Sequence, residues 1–156
     1  MERLAAEIVG AMRDFHVDLV HDMHESWAFY KDRTTNGTAY LGETISTNGD
    51  TGTKLVRSVI DQVNPATLYQ HEEFSFRDFG GQNPAGQGQP PQAGDNLPRQ
   101  TNVPPPGRGT SSLGLNRFFP GLVSLLVEMG QQQAIERRIA LHVQVLQEAL
   151  RQTGVL

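Results

Sequence analysis

From Gly80 to Thr110 the chain is dominated by Gly and Pro, with Gln and Asn between them and almost no apolar side chain. Such a stretch cannot bury enough surface to offset the entropy lost on ordering it. It is expected to be a disordered loop or inserted linker. The foldable remainder is then residues 1–79 and residues 111–156, read as the N-terminal part and the C-terminal strand and helix of the same α/β domain.

Apolar spacing supplies the elements on either side. Leu4, Ile8, Met12 and Phe15 recur at intervals of four, four and three, with charged residues around the rest of the turn, which predicts an amphipathic helix over 1–15. Val17 to Met23 is short and apolar-rich, and reads as a buried strand feeding a loop at His24. Residues 31–53 are rich in Thr, Gly, Asn and Asp, and suit a long loop or a short hairpin around Ala39 to Ile45.

Leu55, Val56, Val59, Ile60 and Val63 then follow a helical period that Asn64-Pro65 stops. Alternating Phe74 and Phe76 allow a strand over 72–79. Past the Gly/Pro stretch, Leu113 to Phe119 make a turn or short helix, and Leu122 to Val127 make a buried strand that runs into Glu128. From Gln132 to Gln152 the longest helix aligns Ile135, Ile139, Val143, Leu146 and Leu150 on one face, and Thr153-Gly154 stops it. The fold class implied is α/β: a partial mixed sheet flanked by helices and interrupted by the Gly/Pro-rich loop.

Several function classes drop out. The chain of 156 residues is long enough for one domain with a core. No stretch approaches the roughly 18 to 20 apolar residues of a membrane span, and the charged N-terminus lacks the apolar run of a signal peptide. A soluble, cytoplasmic protein with no membrane partner is the expectation. The net charge of -4 comes from mixed signs without a basic run, so nucleic acid is not an expected partner. With no cysteine, any metal is held by imidazole and carboxylate.

Two apolar strands end in residues with metal or proton chemistry, His24 and Glu128, and ligands of open α/β sheets gather at the carboxyl ends of strands. Neutral imidazole binds zinc, and a nearby carboxylate suits a general base. A hydrogen-bonded structural His and a solvent-facing Glu fit the same positions. Asp22, two residues before His24, falls on the same side of a strand and suits a hydrogen bond to its ring, or else caps a loop. Trp27 and Tyr30 are candidates for a substrate-pocket wall, although core packing is the commoner use of Trp27, Phe29 and Tyr30. On a strand His21 points away from His24 and is no co-ligand. His71, Glu72 and Glu73 lack a positioned third ligand, while His16 and His142 read as surface or core-edge residues.

With these residues in view, HVDLVHDMHESWAFY is similar to the Asp-Leu-His-Glu stretch of the zinc carboxypeptidase-like superfamily, particularly its succinylglutamate desuccinylase and aspartoacylase branch. The resemblance implies a strand ending in Asp-x-His that gives the third zinc ligand, here His24, preceded by Asp22. FFPGLVSLLVEMGQQQAIERRIALHVQVLQEAL looks like the strand of that branch that ends in its catalytic Glu, which falls on Glu128. The two segments cover about half the chain.

The family's His-x-x-Glu motif, which carries the other two zinc ligands, and its substrate-binding Arg and Asn-Arg residues have no counterpart here. The resemblance therefore implies a fragment of a zinc-dependent amide hydrolase, of metallocarboxypeptidase or N-deacylase type. It would be inactive without a separate N-terminal half, and its substrate would be a small-molecule or peptide amide. The alternative is a non-catalytic α/β binding module with a flexible interaction loop.

Overall fold

In chain order the elements are α1 (Glu2–Asp14), β1 (Leu19–Ser26), β2 (Ala28–Phe29), β3 (Tyr40–Gly42), β4 (Thr44–Thr47), α2 (Gly49–Val63), β5 (Ser75–Phe76), β6 (Val123–Gly130) and α3 (Ile135–Gln152), with short 3₁₀ turns between them. This computed structural model describes residues 2–33, 39–77 and 112–156, so the segment 80–110, expected to be disordered, lies outside the described residues.

β6 organises the sheet. All eight of its residues are buried, as a near-continuous apolar strand with neighbours on both edges requires. It pairs in parallel with β1 and antiparallel with β4, and β5 joins β4 in parallel, giving the order β1-β6-β4-β5. A second, two-stranded sheet pairs β2 with β3.

Strand alternation gives the four-stranded sheet two unlike faces. One carries Val123, Leu125, Val127, Met129 and Ile45, which pack with Val56, Val59 and Val63 of α2 and Leu141, Val145 and Ala149 of α3. Each such side chain contributes about 1.5–3 kcal/mol on burial. The other face carries Asp22, His24, Ser124, Leu126, Glu128, Thr44 and Ser46, and is mostly polar. The fold is thus the mixed α/β architecture expected, with helices layered on the apolar side and polar chemistry collected on the reverse.

Local departures from the sequence reading have physical causes. β1 does not stop before His24, because main-chain pairing with β6 runs from Leu19↔Val123 to Ser26↔Gly130 and keeps the strand extended. β3 and β4 are not a hairpin: Glu43 between them takes φ 55°, and the chain passes from the small sheet to the large one. α2 begins at Gly49, before the apolar period starts, and β5 shrinks to two residues. The largest departure is the face of α3. It buries Leu141, His142, Val145, Glu148 and Ala149, while Ile135, Ile139 and Val143 of the expected apolar stripe are exposed. In α1, Met12 is buried and Ile8 and Phe15 are exposed.

Two asparagines fix connections that propensity leaves loose. The Asn64 side chain accepts from Phe74 N–H (2.7 Å) and donates to Phe74 O (3.0 Å), tying the end of α2 to the approach to β5. Asn48 bonds Leu122 O and Ser124 N–H in the same two-way manner, docking the start of α2 on β6.

Candidate active site

The register of β1 and β6 sets His24 directly opposite Glu128, and that of β4 and β6 sets Thr44 opposite Glu128 on the other side. Partners in register project to the same face, so His24, Glu128 and Thr44 form one row across the sheet, and β5 continues it with Ser75. Asp22 and Ser46 flank Leu126 in the adjoining row.

Side-chain geometry brings His24 close to both Glu128 and Asp22. His24 Nδ1 lies 3.7 Å from Glu128 Oε1, and His24 Nε2 lies 3.3 Å from Asp22 Oδ1. The imidazole is half exposed (50 %) while the Glu128 carboxylate is buried, so the acid lies on the inner side of the pair. Burial pushes the Glu128 carboxyl above the usual carboxylate range, and the nearby His24 and Arg77 pull it partly back. A carboxylate so placed is a better proton acceptor than one in open water.

Arg77 is a neighbour that sequence reasoning missed. It lies two residues beyond Ser75, on the same side of the extended chain, and its N–H donates to Ile45 O (3.0 Å). Burial lowers its guanidinium pKa, against the opposing fields of Tyr30 and Glu128. The signal available beforehand was only the alternation of Ser75, Phe76 and Arg77. Thr44 and Ser46 were legible in the same way, as the polar positions that straddle Ile45. Ser46 Oγ is buried and has no hydrogen-bond partner among the described residues.

Of the candidate pocket walls, Trp27 is 63 % exposed, Tyr30 is half-buried with the Arg33 guanidinium 3.7 Å from its ring centre, and Phe29 alone is in the core. His71 packs against Phe29 and Tyr69. His142 is not at the surface: it is buried and bonded to His21 on the opposite face of β1 from His24.

A second buried carboxyl, Glu43, also escaped the sequence reading. It accepts from Gly130 N–H (3.3 Å) and from the Gln133 side chain, and its other oxygen has no partner among the described residues. Burial raises its pKa to about 7. A second buried ion pair, Arg137 to Glu72 at 2.8 Å, lies close enough for its charges to be felt at Glu43.

The resemblance implies zinc, and the donor set can be tested against it. A catalytic zinc needs three protein ligands and an open position. Among the described residues no group of three His, Asp or Glu is placed to hold a metal ion. His24 has Asp22 beside one ring nitrogen and Glu128 beside the other, a set of one imidazole and two carboxylates that falls short of three placed ligands. These residues do not by themselves make a zinc site.

No protein-family model matches the sequence, and no curated protein matches it. Solved structures of the cell shape determinant protein Csd4 from Helicobacter pylori do share the fold. Its apo form matches with a TM-score of 0.67 at 12% identity. A tripeptide-bound form matches at 0.63 and 12%, and an mDAP-bound form, described as that of a D,L-carboxypeptidase, at 0.65 and 12%. Each match covers 97% of this chain and 34% of the other, so the chain spans about a third of the length of the proteins it resembles. Likeness at this identity shows a shared fold. No helix among the described residues is long and apolar enough to cross a membrane.

Proposed function

We propose that this chain carries one side of the active site of a zinc-dependent amide hydrolase of carboxypeptidase type. The observation that carries the reading is the pairing of His24 with Glu128 across two parallel strands, with Nδ1 3.7 Å from the carboxylate, on the polar face of a sheet shared with a D,L-carboxypeptidase. In this reading His24 is one metal ligand through Nδ1, and Asp22 holds the other ring nitrogen. Glu128 is the general base, its basicity raised by burial. Trp27 and Tyr30 are candidate contacts for substrate. The substrate is a peptide amide; the tripeptide- and mDAP-bound neighbours favour the carboxypeptidase side of the resemblance over the desuccinylase branch.

The remaining ligands come from a further polypeptide segment. β1 is the edge of its sheet, and its outer side, beside the half-exposed His24, is unpaired among the described residues. A strand added there would bring new side chains next to His24. The chain by itself is then inactive. The rival reading, a non-catalytic α/β binding module, draws its support from the incomplete donor set.

A zinc titration followed through the histidine ring C–H resonances separates the two. The hydrolase reading expects the His24 ring to shift first, with weak affinity, and the shifts to vanish in His24→Ala, while peptide hydrolysis by the chain alone stays at background. A His24 ring that ignores zinc up to millimolar concentration overturns the ligand assignment. Turnover by the isolated chain overturns the shared site.

A further inference from the structure

On the reverse face of β1 from His24, His21 reaches α3: its Nε2 lies 3.2 Å from His142 Nδ1, with ring centroids 5.5 Å apart and the planes at 68°. Two neutral imidazoles make this contact, one donating and one accepting. It is one of few ties on the first two turns of α3. Arg138 donates to Glu25 of β1 and Arg137 to Glu72, while Ile135, Ile139 and Val143 face outward. Of the apolar anchors Leu141, Val145 and Ala149, only Leu141 falls within that segment.

We propose that the His21–His142 contact is an acid-operated latch, closed while both rings are neutral and opened when protonation sets two like charges against each other, freeing the first two turns of α3 from β1. The groups facing the pair pull in both directions. For His21, burial and His142 oppose protonation and Asp22 favours it; the result is a pKa of about 4. For His142, burial lowers the pKa, Glu25 acts against the shift and Arg138 with it. His21 Nδ1 is buried without a partner among the described residues, so a proton added there gains no hydrogen bond from them.

Both rings are therefore held in their neutral forms by the folded state. The contact is at full strength above the ordinary histidine value of 6.5 and is lost as pH falls through about 4. Opening leaves β1, already an edge strand, held by its pairing with β6, by the bond from Leu41 N–H of β3 to the Ser26 hydroxyl and by Leu19 on the core. The site-bearing strand then becomes more mobile in acid. This inference does not depend on the hydrolase reading, since the pair lies on the opposite face from His24.

Amide hydrogen exchange tests it, with rates corrected for the intrinsic pH dependence. Between pH 7 and pH 4, protection of residues 138–143 is expected to fall at least tenfold relative to residues 146–150 of the same helix, and the ring resonances of His21 and His142 to titrate together below the ordinary histidine value. In His142→Gln, which cannot charge and still offers a side-chain hydrogen bond, the relative loss is expected to stay under threefold. His21→Gln serves as the companion variant should the first fail to fold. Equal protection ratios at the two pH values, a loss as large in the Gln variant as in the parent, or rings that titrate independently near 6.5 each overturn the latch.

Discussion

Replacing Glu43 by Gln is expected to stabilise the protein, and to do so increasingly as pH rises. Glu43 is 1 % exposed, sits at φ 55° and has one oxygen with no partner among the described residues. Its carboxyl is raised from 4.5 to about 7, chiefly by burial. A raised folded-state value means that folding takes up a proton between these limits. Stability is greatest below 4.5 and falls as pH climbs through about 7. At about 1.4 kcal/mol for each pH unit of displacement, the cost of carrying this carboxylate approaches 3 kcal/mol at pH 8.

Gln keeps the shape and the positive φ and still accepts from Gly130 N–H, so only the ionisation cost is removed. For a chain of this size, 3 kcal/mol corresponds to roughly 6–12 °C in Tm. Melts followed by circular dichroism should show Glu43→Gln close to the parent at pH 5 and well above it at pH 8. An advantage of equal size at both pH values, or a loss at pH 8, refutes the reasoning.

Other sites give sharper structural tests. A Cβ at Gly42 would stand 2.6 Å from both Cα and N of Gly130, backbone atoms that cannot step aside, so Gly42→Ala should cost about 1–3 kcal/mol in urea denaturation; a change under about 0.5 kcal/mol contradicts the close approach of β3 to β6. Leu125, fully buried at the centre of β6, should lose about 2–5 kcal/mol on conversion to Ala, with an unchanged m-value. Arg137→Gln strands the buried Glu72 carboxylate and should cost about 2–4 kcal/mol at neutral pH, against near-zero cost if the pair were solvated.

How much of this was legible in the sequence follows from what kind of force fixes each part. The continuous apolar run before Glu128 and the helical period of α2 are local patterns, and both elements form where those patterns lie. The placement of Asp22 and His24 on one side of β1 follows from period two alone. What the pattern could not supply was register, which is settled by long-range main-chain pairing and decides that His24 meets Glu128 and not Leu126. Nor could it show the burial of His142 or the exposure of Ile139: α3 has two candidate faces, and the His21 and Glu25 contacts on β1 help select the one with fewer large apolar residues. Glu43 was invisible because its role comes from a φ 55° turn between sheets, not from any run of similar residues.

The central claim is that His24 and Glu128 act as one unit on the polar face of the sheet. Following the Glu128 carboxyl carbon by ¹³C NMR across pH tests it most directly. The account predicts a midpoint above the ordinary carboxylate value that moves higher still in His24→Gln, because the imidazole's charge helps hold Glu128 ionised. An ordinary midpoint that does not respond to His24→Gln would contradict it.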